Sequence, residues 1–116
     1  MKRILVVEDD SGVLSLLRHV LEEDGYAVQA AATFSEARDL IAIEAPDLLV
    51  TDMVLPGGGT GTDLAALAKG KGVRSVLFTG YPEWVARIVA LDLPYLLKPF
   101  RPKELVIQVN RLAGSP

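Results

Sequence analysis

Apolar residues recur along this chain in two rhythms. Short continuous runs, Ile4-Leu5-Val6-Val7, Leu48-Leu49-Val50, Val76-Leu77-Phe78 and Leu96-Leu97, have the look of strands buried on both faces. Between them apolar positions return every third or fourth residue, as on one face of a helix. The clearest such stretch holds Val13, Leu14, Leu16, Leu17, Val20 and Leu21 within one wide stripe. The rhythms alternate five times. They predict strands near 3–7, 26–30, 47–51, 75–78 and 94–97, and helices near 11–23, 34–44, 61–69, 82–91 and 102–113. Such alternation predicts an α/β fold, a three-layer sandwich with a parallel sheet between helices.

Local signals support these boundaries. Asp10 or Ser11 can cap the first helix. Thr33 and Glu36 have the spacing of a capping box at the start of the second. Pro102 stands near the start of the last, where a missing N–H costs little. Leu105, Val106, Val109 and Leu112 share a face of that helix, and Ile107 points away from it. His19 falls on the polar face of the first helix, Trp84 on the apolar side of the fourth, and Lys69, Lys71 and Arg74 read as solvated surface. Gly57-Gly58-Gly59-Thr60-Gly61 lacks the Gly-Lys-Ser/Thr ending of a P-loop and reads as a plain turn.

Composition narrows the functional classes. A chain of 116 residues, half of them hydrophobic, suits one domain with its own core. The stretch from 113 to 116 reads as a tail or the start of a linker. The absence of cysteine excludes disulfides and thiolate chemistry. A net charge of −3 with no basic stripe argues against direct nucleic-acid binding. No apolar run approaches the ~18 residues of a membrane span, and no signal-peptide core precedes the first strand, so a cytoplasmic location is expected.

The strand ends carry the chemistry. The first run ends in Glu8-Asp9-Asp10, the third strand in Asp52, the fourth in Thr79-Gly80 and the fifth in Lys98-Pro99. In an open parallel sheet the C-terminal strand ends lie together, and ligands bind there. Glu8, Asp9 and Asp52 gathered in one place repel each other and call for a cation; hard oxygen donors with room for water suit Mg²⁺. Asp10 reads as a cap. Asp52 can act as a nucleophile toward phosphorus and form an aspartyl phosphate. Lys98 can neutralise charge on phosphoryl oxygens, and the Thr79 hydroxyl can hydrogen-bond one.

Taken together, Val6-Val7-Glu8-Asp9-Asp10, Asp52 with Leu55-Pro56-Gly57, Phe78-Thr79-Gly80 and Lys98-Pro99-Phe100 resemble the receiver domain of two-component response regulators, over nearly the whole chain. The resemblance implies a flavodoxin-like sheet of five parallel strands in the order 2-1-3-4-5. It implies a signalling phosphoacceptor that catalyses its own phosphorylation and dephosphorylation, not an enzyme acting on other molecules. Asp52 would take phosphate from a phosphohistidine on a sensor histidine kinase or a histidine phosphotransfer protein. Asp9, Asp52 and the Val54 backbone carbonyl would bind Mg²⁺ directly, and Glu8 through water. Lys98 would contact the phosphoryl group, Thr79 would move toward it, and Tyr95 would turn inward as a switch. The Lys98–Pro99 bond would be cis, and the domain a monomer or weak dimer.

Two departures stand against that pattern. The segment from Thr79 to Lys98 is shorter than usual in the family, so the fourth helix is expected to be short or reoriented. The Pro56–Gly61 loop is slightly longer, as in receivers attached to hybrid sensor kinases. The apolar stripe of the first helix is wide enough to leave one edge, assigned to Leu14, exposed for docking a phosphotransfer helix bundle. An aspartate-nucleophile phosphatase could share the sheet, but it would carry a second acid where this chain has Val54. A flavin-binding module would need a Ser/Thr/Gly-rich phosphate loop after the first strand, where Glu8-Asp9-Asp10 stands. A pseudo-receiver would lack part of the acid, threonine and lysine set.

Overall fold

The computed structural model describes residues 1–114. Five parallel strands, β1 (Arg3–Val7), β2 (Ala27–Ala31), β3 (Leu48–Asp52), β4 (Arg74–Thr79) and β5 (Tyr95–Leu97), form one sheet. Their spatial order is β2-β1-β3-β4-β5. The helices are α1 (Ser11–Glu23), α2 (Phe34–Ile43), α3 (Gly61–Gly70), α4 (Val85–Ala90) and α5 (Pro102–Ala113). The α/β class, the three layers and the 2-1-3-4-5 order all match the expectation. No helix of the described residues is long and apolar enough to cross a membrane.

Strand side chains alternate between two cores, which is why the runs are continuously apolar. Ile4, Val6, Leu48, Val50, Val76 and Phe78 pack with Leu17 and Leu21 of α1 and Leu105 and Val109 of α5. Leu5, Val7 and Leu49 pack on the other side with Ala37 and Ile41 of α2 and Leu64 and Ala68 of α3. Each fully buried Leu, Ile or Val contributes on the order of 1.5–3 kcal/mol of transfer free energy. Ala113 belongs to the first core, so α5 continues through it, and Gly114 caps the helix with φ of 80°. Ser115 and Pro116 lie outside the described residues.

Several boundaries shift, and the choice of cap for α1 resolves, by identifiable causes. β2 starts at Ala27 because Tyr26 still closes the end of α1: Gly25 has φ of 97° and the Tyr26 N–H donates to the Leu21 carbonyl. The cap of α1 is Asp10, whose carboxylate accepts from the N–H groups of Gly12 and Val13. Thr33 accepts from the Glu36 N–H, but the reciprocal half of that capping box does not form, since Glu36 turns to the Thr33 hydroxyl. The full box is at Thr60 and Asp63, heading α3.

The fourth helical segment divides. Pro82–Trp84 forms a 3₁₀ turn and α4 proper holds only six residues. It ends in a tight turn in which Asp92, at φ of 57°, donates its N–H to the Val89 carbonyl. That left-handed conformation is costly for a residue with a Cβ, although aspartate tolerates it better than most. We therefore expect Asp92→Gly to stabilise the domain by up to about 1 kcal/mol, since glycine is the usual residue at this position of a helix end. Urea unfolding checks this; unchanged or lowered stability would show that the turn is unstrained.

Candidate functional site

The register of the sheet assembles the site. Val7 is level with Thr51, Asp52 with Phe78, and Phe78 with Leu96. Glu8 follows Val7, Thr79 follows Phe78 and is level with Leu97, and Lys98 follows Leu97, so all three emerge at one edge with Asp52. Backbone bonds fix their heights: the Glu8 N–H donates to Ala31, the Met53 N–H to Phe78, and the Lys98 N–H to Thr79. The peptide bond between Lys98 and Pro99 is cis.

Carboxylate oxygens of Glu8, Asp9 and Asp52 lie within 4.8 Å of one another. The Lys98 ammonium bridges two of them, 2.8 Å from Glu8 Oε1 and 2.9 Å from Asp52 Oδ2. It also stands 5.0 Å from the centre of the Phe78 ring, whose face attracts a cation. Glu8 is only 1% exposed, and its Oε2 accepts from the Asp10 N–H at 3.3 Å. Asp52 is buried, and its Oδ1 accepts from the Val54 N–H at 3.3 Å. Asp9 is exposed. Three hard oxygen donors with one open to solvent fit Mg²⁺, which keeps several waters. Glu8 and Asp52 each have both oxygens engaged already, so the exposed Asp9 is the freest donor.

Thr79 is fully buried and its hydroxyl accepts from the Tyr81 N–H at 3.1 Å. Its own proton is free to be donated. Tyr95, at the start of β5, is half-exposed, two residues before the end of the strand. Val54 is exposed and bridges to Thr60 across the β3–α3 loop. Of the residues singled out in the sequence, the fold thus brings Glu8, Asp9, Asp52 and Lys98 into contact range, with Thr79 on the next strand end. His19 is exposed and paired with Glu23, and Trp84 packs beside a small cluster of Met53, Ala65, Leu77 and Ile88. On α1 the exposed edge is Leu16, at 51%, while Leu14 is half-buried against the core. The stripe centres on Leu17 and Leu21, which carries Leu16 beyond its margin.

A position that sequence reasoning passed over is Gly61. A Cβ there would lie 2.3 Å from the Asp52 carbonyl oxygen, and the Gly61 N–H donates to the Met53 carbonyl. The start of α3 is thus seated against the backbone of Asp52 itself. The signal was present, a glycine closing a glycine-rich loop, but turn formation explained it equally well.

With fold and site in view, the comparisons decide the family. A model of the response regulator receiver domain matches residues 4–110. The chain belongs to this family. It is 33% identical over 94% of its length to the DNA-binding response regulator MtrA of Mycolicibacterium paratuberculosis, of which it covers 50%. The chain spans about half the length of the curated relatives it matches. Among solved structures, a CheY-like receiver from Methanospirillum hungatei superposes with a TM-score of 0.88 at 31% identity, covering 98% of this chain and 94% of that one. Response regulator protein TrrA of Thermotoga maritima, solved in complex with Mg²⁺-BeF, gives 0.85 at 31% identity, over 97% and 99%.

Electrostatics in this receiver are dominated by crowding. Burial pushes the Glu8 carboxyl above its ordinary value; bonds from Lys98 and Asp10 oppose that and the Asp52 charge adds to it. Burial pulls the Lys98 ammonium down, but its hydrogen bonds to Glu8 and Asp52 and their charges outweigh burial, leaving it above the usual lysine value.

Two outcomes are expected from this geometry. Gly61→Ala forces either α3 or the Asp52 backbone to move and should cost about 1–3 kcal/mol, the usual range for overpacking. A denaturant midpoint equal to that of the unmodified domain would contradict the contact. The second concerns pH. Glu8 has a raised folded pKa, so its contribution to stability is complete below the unfolded value of 4.5 and is lost as pH rises through the folded value. Urea unfolding from acid to neutral pH should show this loss in the unmodified domain and not in Glu8→Gln. Parallel profiles would mean that burial does not set the Glu8 equilibrium.

Proposed function

We propose that this receiver is the phosphoacceptor switch of a two-component phosphorelay, with Asp52 as the acceptor. The observation that supports the reading most directly is the Lys98 bridge inside a carboxylate cluster at the C-terminal sheet edge. The phosphoryl donor is a phosphohistidine on a sensor histidine kinase or a histidine phosphotransfer protein. An Asp52 carboxylate oxygen attacks phosphorus, a P–O bond forms, and the P–N bond to histidine breaks, with the electron pair returning to the imidazole. Asp9, Asp52 and the Val54 carbonyl would hold Mg²⁺, with Glu8 as its outer partner, and the ion would supply positive charge beside the transferring group.

The chain's own residues do the rest. Lys98, already 2.9 Å from Asp52, transfers its contact from the carboxylate to the phosphoryl oxygens. Glu8 keeps the ammonium aimed at the site while this happens. Thr79 donates its free hydroxyl proton to a phosphoryl oxygen, and Tyr95 turns inward from its half-exposed position. Leu16, and not Leu14, offers the exposed apolar edge of α1 to the donor protein.

Incubation with acetyl phosphate and Mg²⁺ should add one phosphoryl group to the unmodified domain and none to Asp52→Asn or in EDTA. Equal mass gain in Asp52→Asn places the acceptor elsewhere. Thr79→Ala should still accept phosphate but populate the active conformation roughly tenfold less, because a charge-assisted hydrogen bond is worth ~1.5–3 kcal/mol. The readout is the chemical-shift response at Tyr95 to a beryllofluoride phosphate mimic. A full unmodified-domain response in Thr79→Ala would uncouple Thr79 from the switch.

A further inference from the structure

The short α4 is followed by a connection, Leu91–Pro94, that stands over a space the rest of the fold does not fill. The other helices have 10 to 13 residues and α4 has six. On this flank α3 presents two alanines, Ala65 and Ala66, flanked by Thr62 and Lys69. Between α3, the start of β4 and the Leu91–Pro94 connection lies a cavity of about 480 Å³, well within the 300–1,000 Å³ of small-molecule sites. It sits under the α4–β5 connection, near the start of β4 and therefore at the end of that strand opposite Thr79. Its walls are apolar: the two alanines, Val73, Leu91, Leu93 and Leu112.

Three polar features distinguish it from a packing defect. Ser75 lines the cavity, is 3% exposed, and its hydroxyl has no hydrogen-bond partner. A buried hydroxyl left unpaired costs about 1–3 kcal/mol, so a ligand that satisfies it gains from doing so. Ser75 shares a strand face with Leu77, on the side covered by α3 and α4. Lys69 and Arg74 stand at the cavity, and neither forms an ion pair among the described residues. Asp92 is the one acidic side chain lining it. An adjoining groove shares Arg74, Asp92 and Leu93 and adds a second cation, Arg111.

We propose that this cavity is a binding site for an amphipathic monocarboxylate, an aliphatic or aromatic body with one anionic head. The body fills the space between α3 and the Leu91–Pro94 connection. The carboxylate pairs with Arg74, whose planar fork matches carboxylate geometry, with Lys69 adding charge, and a turn of the Ser75 side chain toward the cavity lets its hydroxyl donate to it. The site does not involve Asp52, and its occupancy does not depend on phosphorylation.

Titration of the ¹⁵N-labelled domain with octanoate tests it, with octanol as the uncharged probe of the same body. Saturable shifts are expected at Ser75, Asp92 and Leu93, with octanol at least about tenfold weaker, the size of one charge-assisted hydrogen bond. Arg74→Gln, an exposed substitution that leaves the core alone, should weaken octanoate about tenfold. Ala66→Phe, which fills the space from the exposed side of α3, should abolish binding while keeping a folded amide spectrum. Asp52→Asn should bind octanoate as the unmodified domain does, so failure here and failure of the phosphoacceptor assignment are read separately. The proposal is overturned by shifts scattered over the surface, by octanol binding as tightly as octanoate, or by Arg74→Gln leaving the affinity unchanged. If Ala66→Phe fails to fold, the octanol and Arg74→Gln arms decide it.

Discussion

The organisation of this receiver depends on one ammonium group. Lys98 holds Glu8 and Asp52 together at 2.8 and 2.9 Å, in a place where carboxylates gather with little water between them. Without a cation there, Glu8, nearly fully buried, and Asp52 would repel each other across a poorly screened gap. The arrangement persists because two strands reach the same edge. β3 delivers Asp52 and β5 leads into Lys98, and the intervening β4 fixes their separation through the level pairing of Asp52, Phe78 and Leu96. Phe78 contributes twice, as a buried member of the core and as the ring over which the ammonium lies.

Close backbone contacts seat the elements around Asp52. Gly61 seats α3 directly on the Asp52 carbonyl, so the helix and the carboxylate are positioned by one contact. The β3–α3 loop is held at its other side by α2, whose Phe34 N–H donates to the Pro56 carbonyl. Phe34 also lies where a Cβ on Gly59 would be, at 2.5–2.7 Å from ring atoms. The longer glycine-containing loop is therefore folded over α2, with glycine required where backbone and ring approach. On the opposite flank α4 is short, and the cluster beneath it is the smallest of the three.

Most of this was legible from the sequence because the information is local or periodic. Buried parallel strands are continuous apolar runs, and the residue after each run must emerge at the sheet edge, which is enough to collect Glu8, Asp52, Thr79 and Lys98. What escaped depends on contacts between distant segments. Leu16 and Leu14 both fit a broad helical stripe, and only the placement of α1 against β1 and α5 decides that Leu16 is outside. Gly61 and Gly58 look alike in sequence, yet one meets a backbone carbonyl and the other meets nothing within 4 Å. The cavity beneath the Leu91–Pro94 connection, and the unpaired Ser75 hydroxyl behind its wall, require the tertiary fold to be seen.

On the proposed reading, the same crowding that strains the resting site supplies the sensitivity of the switch. A phosphoryl group at Asp52 replaces one negative charge by a larger one and introduces oxygens that compete with Glu8 for the ammonium of Lys98. The new charge can shift a pre-existing equilibrium only through contacts that differ between the two conformations. Lys98 is engaged in either case, so its differential contribution is limited. The Thr79 hydroxyl is different: it now serves the Tyr81 N–H as an acceptor, and its proton has no assigned partner among the hydrogen bonds of the described residues. Donating that proton to a phosphoryl oxygen adds an interaction without removing one from the acid cluster. The threonine, more than the lysine, is then the residue through which the charge at Asp52 reaches β4 and the half-exposed Tyr95 beyond it.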